Sequence, residues 1–113
     1  MNEIFRGEVW LVNLDPTLGR EQVGTRPALI VSENLFNQSY ADLVIVIPIT
    51  SKQKNIRSHV LIVRGEGGLT MESYAKCEDV RSISKQRLMK RLGKVTKQTI
   101  ENVEEKLRFL MAL

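Results

Sequence analysis

Two short stretches of this chain carry residues suited to phosphate chemistry. In GREQVGTRPALIV, residues 19–31, a polar, glycine-bearing run ends at Arg26-Pro27 and passes directly into an apolar one. In IPITSKQK, residues 47–54, an apolar run gives out at Thr50-Ser51 and is followed by Lys52 and Lys54. A guanidinium offers five donors in a planar fork that matches phosphate oxygens, and threonine and lysine at a strand end add more. Together these residues suit the holding and polarising of a phosphodiester. Spacing alone leaves a plainer reading open, in which Arg26 makes a surface salt bridge to Glu21 or Glu33 and Thr50 is an ordinary β-branched strand residue.

Other chemistries lack their residues. There is no Walker loop, G-x-G-x-x-G, H-E-x-x-H or C-x-x-C, and no serine in a nucleophile-elbow context. His59 is the sole histidine, so a histidine pair acting as acid and base is excluded within one chain. Its setting in the apolar Ser58-His59-Val60-Leu61 predicts a hydrogen-bonded structural role. No carboxylates stand at metal-ligand spacing around it, so neither a metal nor another cofactor is expected. The one cysteine, Cys77, has no partner for an intramolecular disulfide, which points to a reducing compartment.

A chain of 113 residues has room for one domain, here 1–113, and its 42% hydrophobic and 27% charged residues are those of an ordinary globular protein. The first ten residues lack a signal peptide's apolar segment, and no apolar stretch reaches the roughly 18 residues of a membrane span. A cytoplasmic protein without membrane association is expected. The net charge of +4 is unevenly placed: residues 52–97 hold twelve basic and four acidic side chains, while 1–51 hold three and six. A basic middle suits a polyanion such as RNA or DNA, or an acidic protein partner. Solvated lysines conferring solubility are the alternative.

The elements that would position Arg26 and Thr50 follow from periodicity. GEVWLVN, residues 7–13, reads as a strand, broken by Asp15-Pro16 into a long polar loop reaching Thr25. Residues 27–31 and 43–49 are continuous apolar runs that read as buried strands, with a short helical turn in SENLFNQSYAD between them. Residues 58–63 predict a fourth strand, after the basic loop SKQKNIR. The glycines at 65, 67 and 68 mark a turn, followed by short strands at 74–78, 80–83 and 92–95. Thr96 caps a helix over 97–112, on which Ile100, Val103, Leu107 and Leu110 form an apolar stripe. Many short strands with one terminal helix argue for a strongly bent sheet or small barrel, mainly β with α.

The blocks RGEVWLVNLDP, GREQVGTRPALIV, IPITS, HVLI and CEDVRSISKQRL occur in an order and spacing that resemble the MazF/PemK toxin family. That resemblance spans nearly the whole chain. It implies a small SH3-like barrel of the CcdB/PemK-like type with a C-terminal helix, dimeric, acting as a metal-independent endoribonuclease that cuts single-stranded RNA at short sequences. It implies further that Arg26 and Thr50 are the functional pair, and that an acidic antitoxin neutralises the protein. Cleavage would proceed by attack of the RNA's own 2′-hydroxyl, which is why the protein needs no nucleophile. Arg20, Gln22, Ser51, Lys52 and Lys54 become candidates for RNA contact. The proton acceptor stays open among Glu21, Glu78 and Asp79. Arginine at position 20 and aspartate at position 79 depart from the family's usual residues, so no cleavage sequence carries over. Two other readings compete: a toxin of the same fold that poisons DNA gyrase and cuts nothing, and a non-catalytic RNA-binding barrel.

Overall fold

A computed structural model describes residues 3–15 and 24–113. The loop expected between Asp15 and Thr25, with Arg20, Glu21 and Gln22, lies mostly outside the described residues. Seven strands form one sheet: β1 (Glu8–Asn13), β2 (Thr25–Ile30), β3 (Leu43–Thr50), β4 (His59–Ile62), β5 (Ser73–Lys76), β6 (Arg81–Ser84) and β7 (Leu88–Lys94). Helix α1 (Asn34–Asn37) is the short turn between β2 and β3, and α2 (Lys97–Met111) closes the chain.

The sheet runs β4-β5-β3-β2-β1-β7, with β6 joined to β3. Strand β3 is the hub, because its length lets it serve three neighbours. Its first half pairs β6 (Val44↔Ile83), its centre pairs β2 (Leu29↔Ile47), and its end pairs β5 (Thr50↔Tyr74), all antiparallel. The strands bend around the core, but no ladder joins β4 to β7 among the described residues, so the sheet does not close into a hydrogen-bonded ring. The mainly β class with a C-terminal helix is as expected.

Both sheet faces are covered, which explains the unbroken apolar runs of β2 and the second half of β3. Val9, Leu29, Ile47, Ile49, Val60 and Ile62 share one core with Val103 of α2. The alternate residues Trp10, Val12, Ala28, Ile30, Val44 and Val46 form a second core with Ile4, Leu14 and Ile83. At its start β3 alternates instead, leaving Leu43 and Ile45 partly in solvent. On α2, Val103 is buried and Ile100 and Leu107 pack against the core, whereas Leu110 is exposed, because the helix outruns the sheet beneath it.

Several boundaries moved from expectation. Strand β2 begins at Thr25, so Arg26 lies inside the strand, opposite Val12 of β1. Strand β7 begins at Leu88 rather than residue 92, since pairing with β1 recruits the charged Lys90 and Arg91 that periodicity left out. Strand β5 stops at Lys76, and Cys77–Asp79 turn as a 3₁₀ segment.

Candidate active site

The register places the two key residues. Strands β2 and β3 pair with Ala28 opposite Pro48, and carrying that antiparallel alignment two residues further sets Arg26 opposite Thr50. On its other side Thr50 pairs with Tyr74 of β5, and β5 in turn pairs with β4, where Lys76 faces His59. Four strands thus deliver side chains from distant parts of the chain to one end of the sheet.

There they line a polar pocket of about 90 Å³, walled by Arg26, Thr50, Ser51, Lys52, Lys54, His59 and Lys76. Thr50 is buried, and its Oγ1 accepts a hydrogen bond from the Lys52 amide at 3.1 Å. That bond turns the chain at the strand end and leaves the hydroxyl proton available to a ligand. Arg26 is solvent-exposed, as a side chain that meets an incoming anion must be. Of the two carboxylates considered as partners of Arg26, Glu33 caps α1, its Oε2 accepting the Leu35 amide at 2.7 Å, and Glu21 lies outside the described residues. With four cationic side chains converging, the pocket suits a phosphate.

Behind it His59 and Glu78 are joined by a hydrogen bond. His59 Nε2 lies 2.8 Å from Glu78 Oε2, and Glu78 Oε1 accepts the Ser58 hydroxyl at 2.6 Å. Burial pushes the Glu78 carboxyl up, but its bonds to Ser58, its own backbone amide and His59 outweigh this, and it ionises below its ordinary range. Ionised Glu78 accepts a hydrogen bond from Nε2–H, and Nδ1 is buried and has no partner among the described residues. The expected hydrogen-bonded His59 is therefore present, and it also forms part of the pocket wall.

Of the expected site residues, the fold gathers Arg26, Thr50, Ser51, Lys52 and Lys54 in one place. Arg20 and Gln22 fall outside the described residues. Asp79 is 2.9 Å from Arg81 and 3.9 Å from Lys76, which ties it into a small ion-pair network. Lys76 was missed as a site residue; only the β4–β5 register, which sets it opposite His59, could have revealed it. Among the described residues no three His, Cys, Asp or Glu side chains gather into a metal-binding group.

Known proteins carry the same plan. A family model described as the PemK-like, MazF-like toxin of type II toxin–antitoxin systems matches residues 5–111. Endoribonuclease PemK of Escherichia coli is 42% identical over 103 residues, spanning 89% of this chain and 76% of that protein. Endoribonuclease MazF9 of Mycobacterium tuberculosis is 33% identical over 113 residues, covering 96% of each. The crystal structure of MazF from Deinococcus radiodurans superposes with a TM-score of 0.89 over the full length of both chains at 24% identity. A mycobacterial endoribonuclease in complex with its cognate antitoxin does so with a TM-score of 0.79 at 25% identity, covering 100% of this chain and 97% of that one. The gyrase-poison alternative finds no support in these relatives, and with a match running from the first strand to the last helix, the chain belongs to the PemK-like, MazF-like toxin family of type II toxin–antitoxin systems.

Proposed function

We propose that this protein is a sequence-specific, metal-independent endoribonuclease that cuts single-stranded RNA at the Arg26–Thr50 pocket. The observation that carries the proposal is the convergence of Arg26, Thr50, Lys52, Lys54 and Lys76 on one phosphate-sized pocket, in a chain whose curated relatives are named endoribonucleases. The cations neutralise a phosphodiester without a metal, and the nucleophile comes from the substrate. The 2′-oxygen forms a bond to phosphorus, the bond from phosphorus to the 5′-oxygen breaks, and the products carry a 2′,3′-cyclic phosphate and a 5′-hydroxyl. DNA lacks the 2′-hydroxyl and is not cut.

Arg26 stabilises charge developing on the phosphate oxygens, and Thr50 donates its hydroxyl proton to one of them. Arginine stays protonated at ordinary pH and is a poor proton acceptor. His59 is not that acceptor either: its Nε2 is held by Glu78 and its Nδ1 is buried, so neither ring nitrogen meets the substrate.

Two further elements of the reading concern partners. The basic middle of the chain, with the antitoxin complex formed by a structural neighbour, supports an acidic antitoxin that competes with RNA for the same cations. Exposed Leu61 on β4 and Val63 just after it, and Phe109, Met111 and Leu113 at the end of the chain, support a homodimer that covers them. No helix among the described residues is long and apolar enough to cross a membrane.

The test is cleavage of mixed-sequence single-stranded RNA in excess EDTA by the protein and by Arg26→Ala. Specific cuts bearing 2′,3′-cyclic phosphate are expected, slowed about 10²–10³-fold in the variant. Intact RNA at high protein concentration would overturn the reading.

A further inference from the structure

A second cleft shares a wall with the phosphate pocket. It holds about 180 Å³ and is bounded on the near side by Arg26, Thr50 and Ser51, the same residues that bound the pocket. Its far side is of another character: Pro27, Leu69, Thr70, Met71 and Ser73. Where the pocket has four cationic side chains, this cleft has Arg26 alone. A phosphate belongs on the cationic side of the shared wall. The less polar side suits an uncharged, flat group with apolar faces and polar edges.

We infer that this cleft seats the nucleobase next to the scissile phosphate and that Met71 and Thr70 determine which base is accepted. The inference rests on the nuclease reading and deepens it. Ribose joins a base and its phosphates through one small ring, so a base cannot lie far from the phosphate of its own nucleotide. Two unlike cavities separated by one wall of side chains match that covalent geometry. Leu69 is buried and gives the cleft a firm apolar floor, while Met71 is 58% exposed and its unbranched thioether is able to lie flat against an aromatic face. Thr70 is an exposed residue whose hydroxyl is able to donate or accept at a base edge.

The cleft is held in shape before any ligand arrives. Leu69 O accepts the Gly65 amide at 2.8 Å, and the Leu69 amide donates to Glu66 O at 3.2 Å, so the near end of the segment is pinned to the turn. At the far end Ser73 pairs with Ile62 of β4 and its hydroxyl donates to Met71 O at 2.9 Å. Ser73 is spent on building the cleft, which leaves Thr70 and Met71 to read the base. This division also accounts for Met71, a large apolar side chain left in water beside a charged site.

The experiment is sequence profiling of cleavage on a randomised single-stranded RNA pool by the full-length protein, Met71→Ala and Thr70→Val, with the thermal midpoint of each checked. Preference at one nucleotide flanking the cut is expected to fall about tenfold in one or both variants, with the other positions of the recognition sequence retained. A uniform slowing at all sites with unchanged preference would mean that these residues only support the turn, and would overturn the inference. Unchanged cleavage in both variants would overturn it as well. Failure of the unsubstituted protein to cut any RNA is a separate outcome that removes the nuclease reading and the base site with it.

Discussion

The chemistry of single residues at this site is set by what each hydroxyl or ring nitrogen is already doing. Thr50 Oγ1 accepts a backbone amide, so its remaining useful atom is the hydroxyl proton. Thr50→Val keeps the shape and removes that proton, and is expected to cut the rate of RNA cleavage about 10–100-fold, as loss of a donor to a charged oxygen does. Thr50→Ser restores most of it; equal rates in the valine and serine variants would show that only the side chain's bulk matters. His59 offers a parallel case. Its Nε2 is tied to Glu78, and its Nδ1 is buried. His59→Asn is expected to lose about 1–3 kcal/mol in urea unfolding, with cleavage per folded molecule little changed. Full stability with sharply reduced turnover would instead put His59 in proton transfer. Cys77 contributes nothing of this kind: it is fully buried, and burial pushes its thiol up to about 12.

At the scale of elements, a glycine crossing holds the site's supports together. The 3₁₀ turn Glu66–Gly68 presses on β7 so closely that a Cβ on Gly93 would lie 2.6 Å from the Gly67 carbonyl carbon, and one on Gly68 would lie 2.0 Å from Leu92 O. Glu66, in the same turn, receives the Thr96 amide at 3.0 Å and the Thr99 hydroxyl at 2.5 Å, binding the start of α2. One turn therefore fixes β7, the terminal helix and, through Leu69, the cleft beside Arg26. Gly93→Ala is expected to cost about 1–3 kcal/mol in urea unfolding, because backbone rather than a flexible side chain blocks the methyl. Wild-type stability in this variant would show that β7 and the turn can separate freely.

For the molecule as a whole, stability depends on pH through carboxylates that the fold holds ionised. Glu8 is buried, and burial raises its carboxyl; hydrogen bonds from the Phe5 amide, the Trp10 indole and Arg91 more than offset this, so its value falls below the ordinary 4.5. A folded-state value below the unfolded one gives stability that is complete above pH 4.5 and lost as pH falls through the folded value. Glu78 adds to the same trend. Glu8→Gln is expected to lose about 1–3 kcal/mol near neutrality, mostly from its bonds to Phe5 and Trp10, since Arg91 is half exposed and its ion pair is screened. Urea unfolding at pH 7 and pH 3 should show the gap from the parent protein narrowing in acid. A constant gap would mean that the carboxylate's charge is immaterial.

Sequence alone determined whatever depends on local periodicity and on residue type. The apolar runs of β2 and β3, the Thr96 cap of α2 and the donor-rich character of Arg26 and Thr50 are properties of neighbours in the chain. Five ordered blocks also carried the family resemblance. What only the tertiary structure decided is which residues meet. The connection from β2 to β3 runs through α1, too long and irregular to set a register as a two-residue hairpin turn would. Arg26 therefore could not be placed opposite Thr50 until the strands had paired. Lys76 joined the pocket, His59 found Glu78, and Met71 came to flank the shared wall for the same reason: antiparallel register is an energy shared between distant strands, and no window of neighbouring residues contains it.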